Sequence, residues 1–366
     1  MEIKVLKSAL VKALTAVGGI AGSKTATLPI LANLLLETHG NNELQVVATD
    51  LEVGISTKVP AEVIKDGSIT VPSKKLQDIV RELAEGEVEI SVAKNNTVGI
   101  KSGKAYFKIM GLPKEDFPKL PEFKEENSIQ LEQAMLKDGL SLTLFASSSD
   151  ETRYVLNGVL FYVKGNKVRL VATDGRRLAY IEKEFENKNK QSCEMIIPAK
   201  ALYEISKNLA WEGTVNVIPA KNQVVFQIGD TYVVSRLIEG NFPNYEQVIP
   251  KEEKLKSNLN REEFLQSVRR ASLLTSPEAP AIKLDFLKNK VLISSRSPNM
   301  GESKEEINAT VDGKEMAIGF NPHYMADVLK NMDVESFDFC LTDPDKPGLV
   351  KGKDGYLYVI MPMQLN

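Results

Sequence analysis

Histidine and cysteine are nearly missing: the 366 residues hold two of each. His39 and His323 fall in non-equivalent places of the chain. Cys193 and Cys340 lie far apart with no metal-ligand spacing. A His/Cys metal trio and a Cys–His nucleophilic pair are therefore not expected, and both thiols read as buried. So little cysteine fits a reducing compartment. No apolar run approaches the roughly 20 residues that would span a bilayer. The opening residues MEIKVLKSAL carry a charge every two or three positions, which predicts no secretory core. No phosphate-cradling GxxxxGK[ST] loop occurs, and Gly18-Gly19-Ile20-Ala21-Gly22 follows a helical stripe, so it reads as a cap and loop. Formal net charge is −3, with 46 basic and 49 acidic residues. A sequence-specific DNA reader is usually basic.

What the chain does have is internal repetition. Ile69–Leu83 (ITVPSKKLQDIVREL), Met195–Leu209 (MIIPAKALYEISKNL) and Met316–Met332 (MAIGFNPHYMADVLKNM) each read as a short strand, a break and a helix. Their anchors Pro72, Pro198 and Phe320 are 126 and 122 positions apart. Asp116-Phe117-Pro118 and Asn241-Phe242-Pro243 repeat at a spacing of 125. An earlier helix opens each unit. Its stripe is Leu6, Leu10, Leu14 and Val17 in the first unit, and Leu136, Leu140 and Leu144 in the second. In the third it is Phe264, Leu265, Val268 and Leu273. Alternating strands follow, at Asn33–Glu37, Glu43–Ala48 and Gly54–Val59, with counterparts at Gly158–Val163, Lys167–Ala172 and Arg177–Ile181. Each unit thus has two helices and about eight strands. The inter-strand loops are too short for parallel crossovers, so the sheets should be antiparallel. The fold class is α+β, with domains 1–125, 126–253 and 254–366.

Val171–Leu178 reads VATDGRRL, and Val47–Leu51 reads VATDL. Asp50 and Asp174 could be taken for catalytic carboxylates. An Asp after Thr at a strand end commonly bonds its own turn backbone, and its recurrence in two units favours that structural role. Near Ser295–Met300 the third unit has lost the motif.

The charges are unevenly placed. Over the six expected helices, Lys7–Val17, Ser73–Ala84, Leu131–Phe145, Ala199–Ala210, Arg261–Leu274 and Asn321–Met332, 12 residues are basic and 8 acidic, which leaves −7 for the rest. Such helices serve equally as a weak, sequence-blind duplex contact or as ordinary solvated faces. No aromatic platform for single-stranded bases is expected among them.

Three tandem units with LPILANLL at Leu28–Leu35, ATDGRRLA at Ala172–Ala179, EGNFPNY at Glu239–Tyr245 and a terminal YVIMPMQL at Tyr358–Leu365 resemble the bacterial DNA polymerase III beta subunits, over essentially the whole chain. The resemblance implies the DNA clamp fold: three similar domains of antiparallel sheet with two helices each, in a head-to-tail ring homodimer. It implies a processivity factor with no catalytic residue, metal or cofactor. It also implies sequence-independent double-stranded DNA as a partner. The replicative DNA polymerase alpha subunit, the clamp loader, other polymerases and repair proteins would dock through short peptides. A cytoplasmic, nucleoid-associated location follows, with no membrane role.

By match to the family motifs, the peptide pocket would comprise Leu156, Thr173, Gly175, Arg176, Arg177, Leu178, Pro243, Val359, Met361, Pro362 and Met363. Met and Leu adapt to varied apolar anchors. The chain departs from the family pattern at Gln247 and Gln364, which replace arginines, and at Arg176, which replaces a histidine. DNA would face Lys12, Lys24, Lys74, Lys137, Lys200, Lys207, Arg269 and Lys330, while Asp150 stands where the pattern has glutamine. The ring contact would use Lys75, Lys104, Phe107 and Ile109 on one side, with Leu273 and Leu274 on the other.

Overall fold

A computed structural model describes residues 1–21, 28–121, 127–352 and 355–364. Six α-helices occur among them: α1 Lys7–Val17, α2 Ser73–Glu82, α3 Gln133–Thr143, α4 Ala199–Asn208, α5 Arg261–Ser272 and α6 Pro322–Asn331. Local sequence sets their ends. Asn260 accepts from the Glu263 N–H at 3.0 Å and so caps α5. Asn321 caps α6 through the His323 N–H at 2.9 Å, with Pro322 in the first turn.

Every strand pairing within the sheets is antiparallel. Packing divides the chain into two compact units, Met1–Ala134 with Lys200–Leu237, and Met135–Ala199 with Ile238–Asn366. The first holds an eight-stranded sheet ordered Ile129–Glu132, Thr214–Pro219, Gln223–Ile228, Thr231–Arg236, Val53–Pro60, Glu43–Thr49, Asn33–His39, Ser68–Pro72. It also holds a five-stranded sheet ordered Glu62–Lys65, Glu2–Leu6, Glu87–Val92, Thr97–Ser102, Ala105–Met110. Helix α1 packs on the strands Glu43–Thr49 and Val53–Pro60 and beside α2.

The second unit holds a nine-stranded sheet ordered Cys193–Pro198, Gly158–Lys164, Lys167–Thr173, Arg177–Glu184, Tyr356–Ile360, Gly348–Lys351, Ser336–Leu341, Leu255–Asn260, Thr310–Gly313. A four-stranded sheet runs Gly301–Asn308, Lys290–Ser297, Ile282–Leu287, Met316–Phe320, with α5 against its strands and α6 beside α5. The middle stretch of chain thus supplies strands to both large sheets.

Most of the expected stripes are buried: Leu10, Leu14 and Val17; Leu136, Leu140 and Leu144; Phe264, Leu265 and Val268. Two members are not. Leu6 is exposed because it closes a strand before α1 begins, and Leu273 is 73% exposed because α5 ends at Ser272. Periodicity counts both as helical core, but neither lies within a helix.

The two Thr-Asp turns are the same structure. Asp50 Oδ1 accepts from the N–H groups of Glu52 and Val53 at 3.0 and 2.8 Å, and Asp174 Oδ1 from those of Arg176 and Arg177 at 2.9 and 3.0 Å. The hydroxyl of Thr49 donates to the Val53 carbonyl at 3.0 Å and accepts from the Leu51 N–H at 3.1 Å. Thr173 does the same with Arg177 and Gly175 at 2.6 and 3.0 Å. Each carboxylate thereby closes a strand-end turn that would otherwise leave two donors unmet. The second oxygen of Asp50 pairs with Lys200 of α4. Asp50→Ala removes these charge-assisted bonds and should lower unfolding free energy by about 2–3 kcal/mol, measured by urea denaturation. Stability unchanged by the substitution would refute the structural role.

Candidate docking site

The second turn opens onto an apolar floor within the second unit. Strands Arg177–Glu184 and Tyr356–Ile360 pair so that Leu178 stands opposite Val359 and Arg177 opposite Ile360. Leu178 and Val359 join Leu160, Val171, Ile196 and Ile238 in one buried cluster, with Val155, Phe242 and Tyr245 packed over its margin. Beyond Ile360 the chain leaves the sheet. The Met361 N–H donates to the Arg176 carbonyl at 3.0 Å and the Met363 N–H to the Gly319 carbonyl at 2.8 Å. These bonds hold Met361 at the surface, 42% exposed, with Pro362 and Met363 half-buried.

Leu156 ends a 3-10 segment, Glu151–Leu156, capped by Asp150. Asp150 Oδ1 accepts from the hydroxyl and the N–H of Thr152 at 2.7 and 3.0 Å, which holds its carboxyl below the usual range. Arg153 of this segment donates to the Asp174 carbonyl at 2.8 Å. Pro243, Gly175 and Arg176 are exposed, and Thr173 is buried beneath its turn. Beside the floor lies a polar cavity of about 320 Å³ lined by Ser147, Ser148, Ser149, Asp150, Arg153, Asp174, Arg176, Arg177 and Tyr324.

Arg177, in the expected set, also makes long-range bonds. Its Nε donates to Asp174 at 3.0 Å, Nη1 to Asp327 of α6 at 2.7 Å, and Nη2 to the Phe145 carbonyl at 2.7 Å. The guanidinium lies 4.4 Å from the centroid of the Tyr324 ring. One side chain thus ties the turn to α6 and to the end of the segment after α3. Lysine cannot reproduce that planar fork. The residue types signalled a charge at this point, but not the long-range partners Asp327 and Phe145. Gln247 and Gln364 are both exposed.

The expected DNA-facing cations fall into four groups. Lys12 of α1, Lys74 of α2, Arg269 of α5 and Lys330 of α6 are exposed and make no ion pair with another described residue. Lys200 and Lys207 on α4 are exposed but paired, with Asp50 and with Glu204 respectively, and Lys137 is half-buried. Lys24 lies outside the described residues. The expectation of no aromatic among the helix cations needs correction. Tyr203 stands half-exposed on α4 between Lys200 and Lys207, at helical spacings of three and four. Counting charges alone passes over it.

Of the expected ring-contact residues, Lys75, Lys104 and Phe107 are exposed, Ile109 and Leu274 are half-buried, and Leu273 stands free. Among the described residues, no cluster of three or more His, Cys, Asp or Glu could hold a metal, and no helix is long and apolar enough to cross a membrane.

Comparison with known proteins gives the class. Profiles of the DNA polymerase III beta subunit match the chain throughout: the N-terminal domain over residues 1–121, the central domain over 130–244 and the C-terminal domain over 246–364. The sliding clamp of Bacillus subtilis superposes with a TM-score of 0.94 at 30% identity, covering 100% of both chains. A Pseudomonas aeruginosa clamp solved bound to griselimycin superposes at 0.93 with 31% identity, again over 100% of both. The fold is therefore the three-domain clamp fold. The beta sliding clamp of Vibrio cholerae is 32% identical over 369 residues, 100% of both chains, and that of Chlamydia pneumoniae is 34% identical over 339 residues, 93% of this chain and 92% of its own. The chain belongs to the beta sliding clamp family, the beta subunits of DNA polymerase III. It is a DNA polymerase processivity factor and a non-catalytic subunit.

Cys340 is buried as expected, whereas Cys193 is only half-buried at the start of its strand; burial pushes both thiols up to about 12. Raised values mean that the nucleophilic thiolate is scarce until strongly alkaline pH. Native protein at pH 8 should therefore resist iodoacetamide at Cys193 and Cys340, while urea-unfolded protein is labelled at both within minutes, as read by mass spectrometry. Rapid labelling of the native chain would contradict this.

Proposed function

We propose that two copies of the chain close head to tail into a ring around duplex DNA, and that partners dock a short apolar peptide over Leu178, Val359 and Met361. Two free edges support the ring. The strand Ala105–Met110 ends its sheet with Tyr106, Phe107 and Met110 exposed, and Gly301–Asn308 ends another beside the exposed Leu273. An exposed apolar edge such as Ala105–Met110 is usually paired or covered, whereas Gly301–Asn308 carries Glu302, Lys304, Glu305 and Glu306. A contact between such dissimilar surfaces is heterologous, and it closes with two copies if each spans half the circle. Arg270 of α5 bonds Glu305 of that second edge at 2.6 Å, which fixes the helix end that carries Leu273.

Lys12, Lys74, Arg269 and Lys330, which pair with no other described residue, would meet phosphates without reading bases, in contacts weak enough to permit sliding. Processivity then comes from topology rather than affinity. The replicative polymerase alpha subunit, the clamp loader, other polymerases and repair proteins would share the pocket in turn. A cytoplasmic, nucleoid-associated location suits this role.

The observation that carries the docking reading is Met361. It is a large apolar side chain held at the surface by a backbone bond to Arg176, directly beside a buried floor. Met361→Ala should weaken binding of a Gln-, Leu- and Phe-containing peptide by about tenfold, or roughly 1.4 kcal/mol, by calorimetry, with the melting temperature unchanged. Leu178→Ala should weaken it further while native mass spectrometry still finds the dimer. Unaltered affinity in both would remove the pocket assignment. For the ring, native mass spectrometry at micromolar concentration should give a dimer of this 40.5 kDa chain, and Leu273→Asp should shift it towards monomer. A monomeric parent protein would contradict the ring.

A further inference from the structure

The first Thr-Asp turn also opens onto a cleft, and its correspondence with the second extends well past the turn. Val53–Pro60 pairs with Thr231–Arg236 so that Val53 stands opposite Ser235 and Gly54 opposite Val234. Arg177 opposite Ile360 and Leu178 opposite Val359 are the counterparts. The Arg236 N–H donates to the Glu52 carbonyl at 3.0 Å, just as the Met361 N–H donates to that of Arg176 at 3.0 Å. Pro118 follows Phe117 as Pro243 follows Phe242. The cleft lies wholly within the first compact unit and encloses about 270 Å³.

Two exchanges keep this cleft usable. Gly54 stands where Leu178 supplies the floor, and Leu120 fills the space: a Cβ on Gly54 would lie 2.2 Å from Leu120 Cδ2. The apolar floor is thus rebuilt from another part of the chain, with Leu120 still half-open to the cleft. Leu51 stands where the second turn has Gly175. Its φ is +78°, close to the +85° of Gly175, in the left-handed region that branched residues avoid. Nevertheless Leu51 is 45% exposed at the mouth of the cleft. Glycine would suit that backbone better, so folding does not explain the leucine. An apolar lip over a pocket does.

The rim chemistry differs from that of the second turn. Arg236 takes the place of Met361, and Lys119 joins it. Both are exposed and make no ion pair with another described residue, and among the described lining residues Glu52 alone carries a carboxylate. We propose that this cleft is a second docking site, for a short peptide with an apolar anchor and a flanking carboxylate. The proposal rests, by repeat equivalence, on the docking reading of the second turn. The anchor would lie on Leu120 and Val234 under Leu51, with the carboxylate against Arg236.

Methyl NMR of the full chain tests it site by site. The probe is an acetylated, amidated tetrapeptide of sequence Glu-Leu-Phe-Glu. Methyls of Leu51, Leu120 and Val234 should shift saturably on titration. Arg236→Glu should weaken the response about tenfold and Arg236→Lys much less, as expected for a rim charge rather than a fold defect. Leu51→Gly, which suits the backbone, should weaken it comparably while leaving the melting temperature equal or higher. Shifts confined to Leu178 and Val359 would overturn the second site and leave the first standing. Shifts confined to Leu51, Leu120 and Val234 would support the second site and count against the docking reading of the first.

Discussion

A carboxylate that accepts two successive backbone N–H groups at a strand end is the constraint on which the rest of this structure depends. It is made twice, by Asp50 and by Asp174. Each time it fixes the first residues of a strand whose free side pairs with a strand from a later part of the chain. A floor, a rim and a cleft follow from that pairing. The charge on the carboxylate serves geometry, which is why a motif that resembles a catalytic signature belongs to a non-catalytic family.

The two turns then diverge through what their second oxygen meets. Asp50 pairs with Lys200, which takes a helix cation out of the set proposed to meet phosphate. Asp174 instead orients Arg177, whose other donors reach Asp327 and Phe145. A partly buried ion pair of this sort gives little net stability by itself, because desolvation offsets much of the attraction. Its value lies in placement: the arginine fork holds three chain segments around the polar cavity beside Leu178.

Much of this was legible in the sequence, for identifiable reasons. The repeat spacing, the helix stripes through Leu10, Leu140 and Val268, and the strand alternation at Glu43 and Lys167 all report burial, which has a strict period. The Thr-Asp turns were legible because a local side chain bonds its own backbone. What escaped was non-local or terminal. Leu6 and Leu273 keep the helical period just outside a helix, so periodicity placed them in the core. Tyr203 is invisible to a charge count, because its exposure beside Lys200 and Lys207 is set by the fold. No spacing relates Leu120 to Gly54 or Arg177 to Asp327, since those partners meet only once the sheets form. Lys24 lies outside the described residues.

On the proposed reading, the protein stays on DNA by enclosing it and not by binding it tightly. Retention on DNA of different topology separates the two. Protein loaded onto a nicked circular duplex should remain through gel filtration and should be released when a restriction enzyme linearises the circle. Equal retention before and after the cut, or equal loss from both forms, would contradict enclosure.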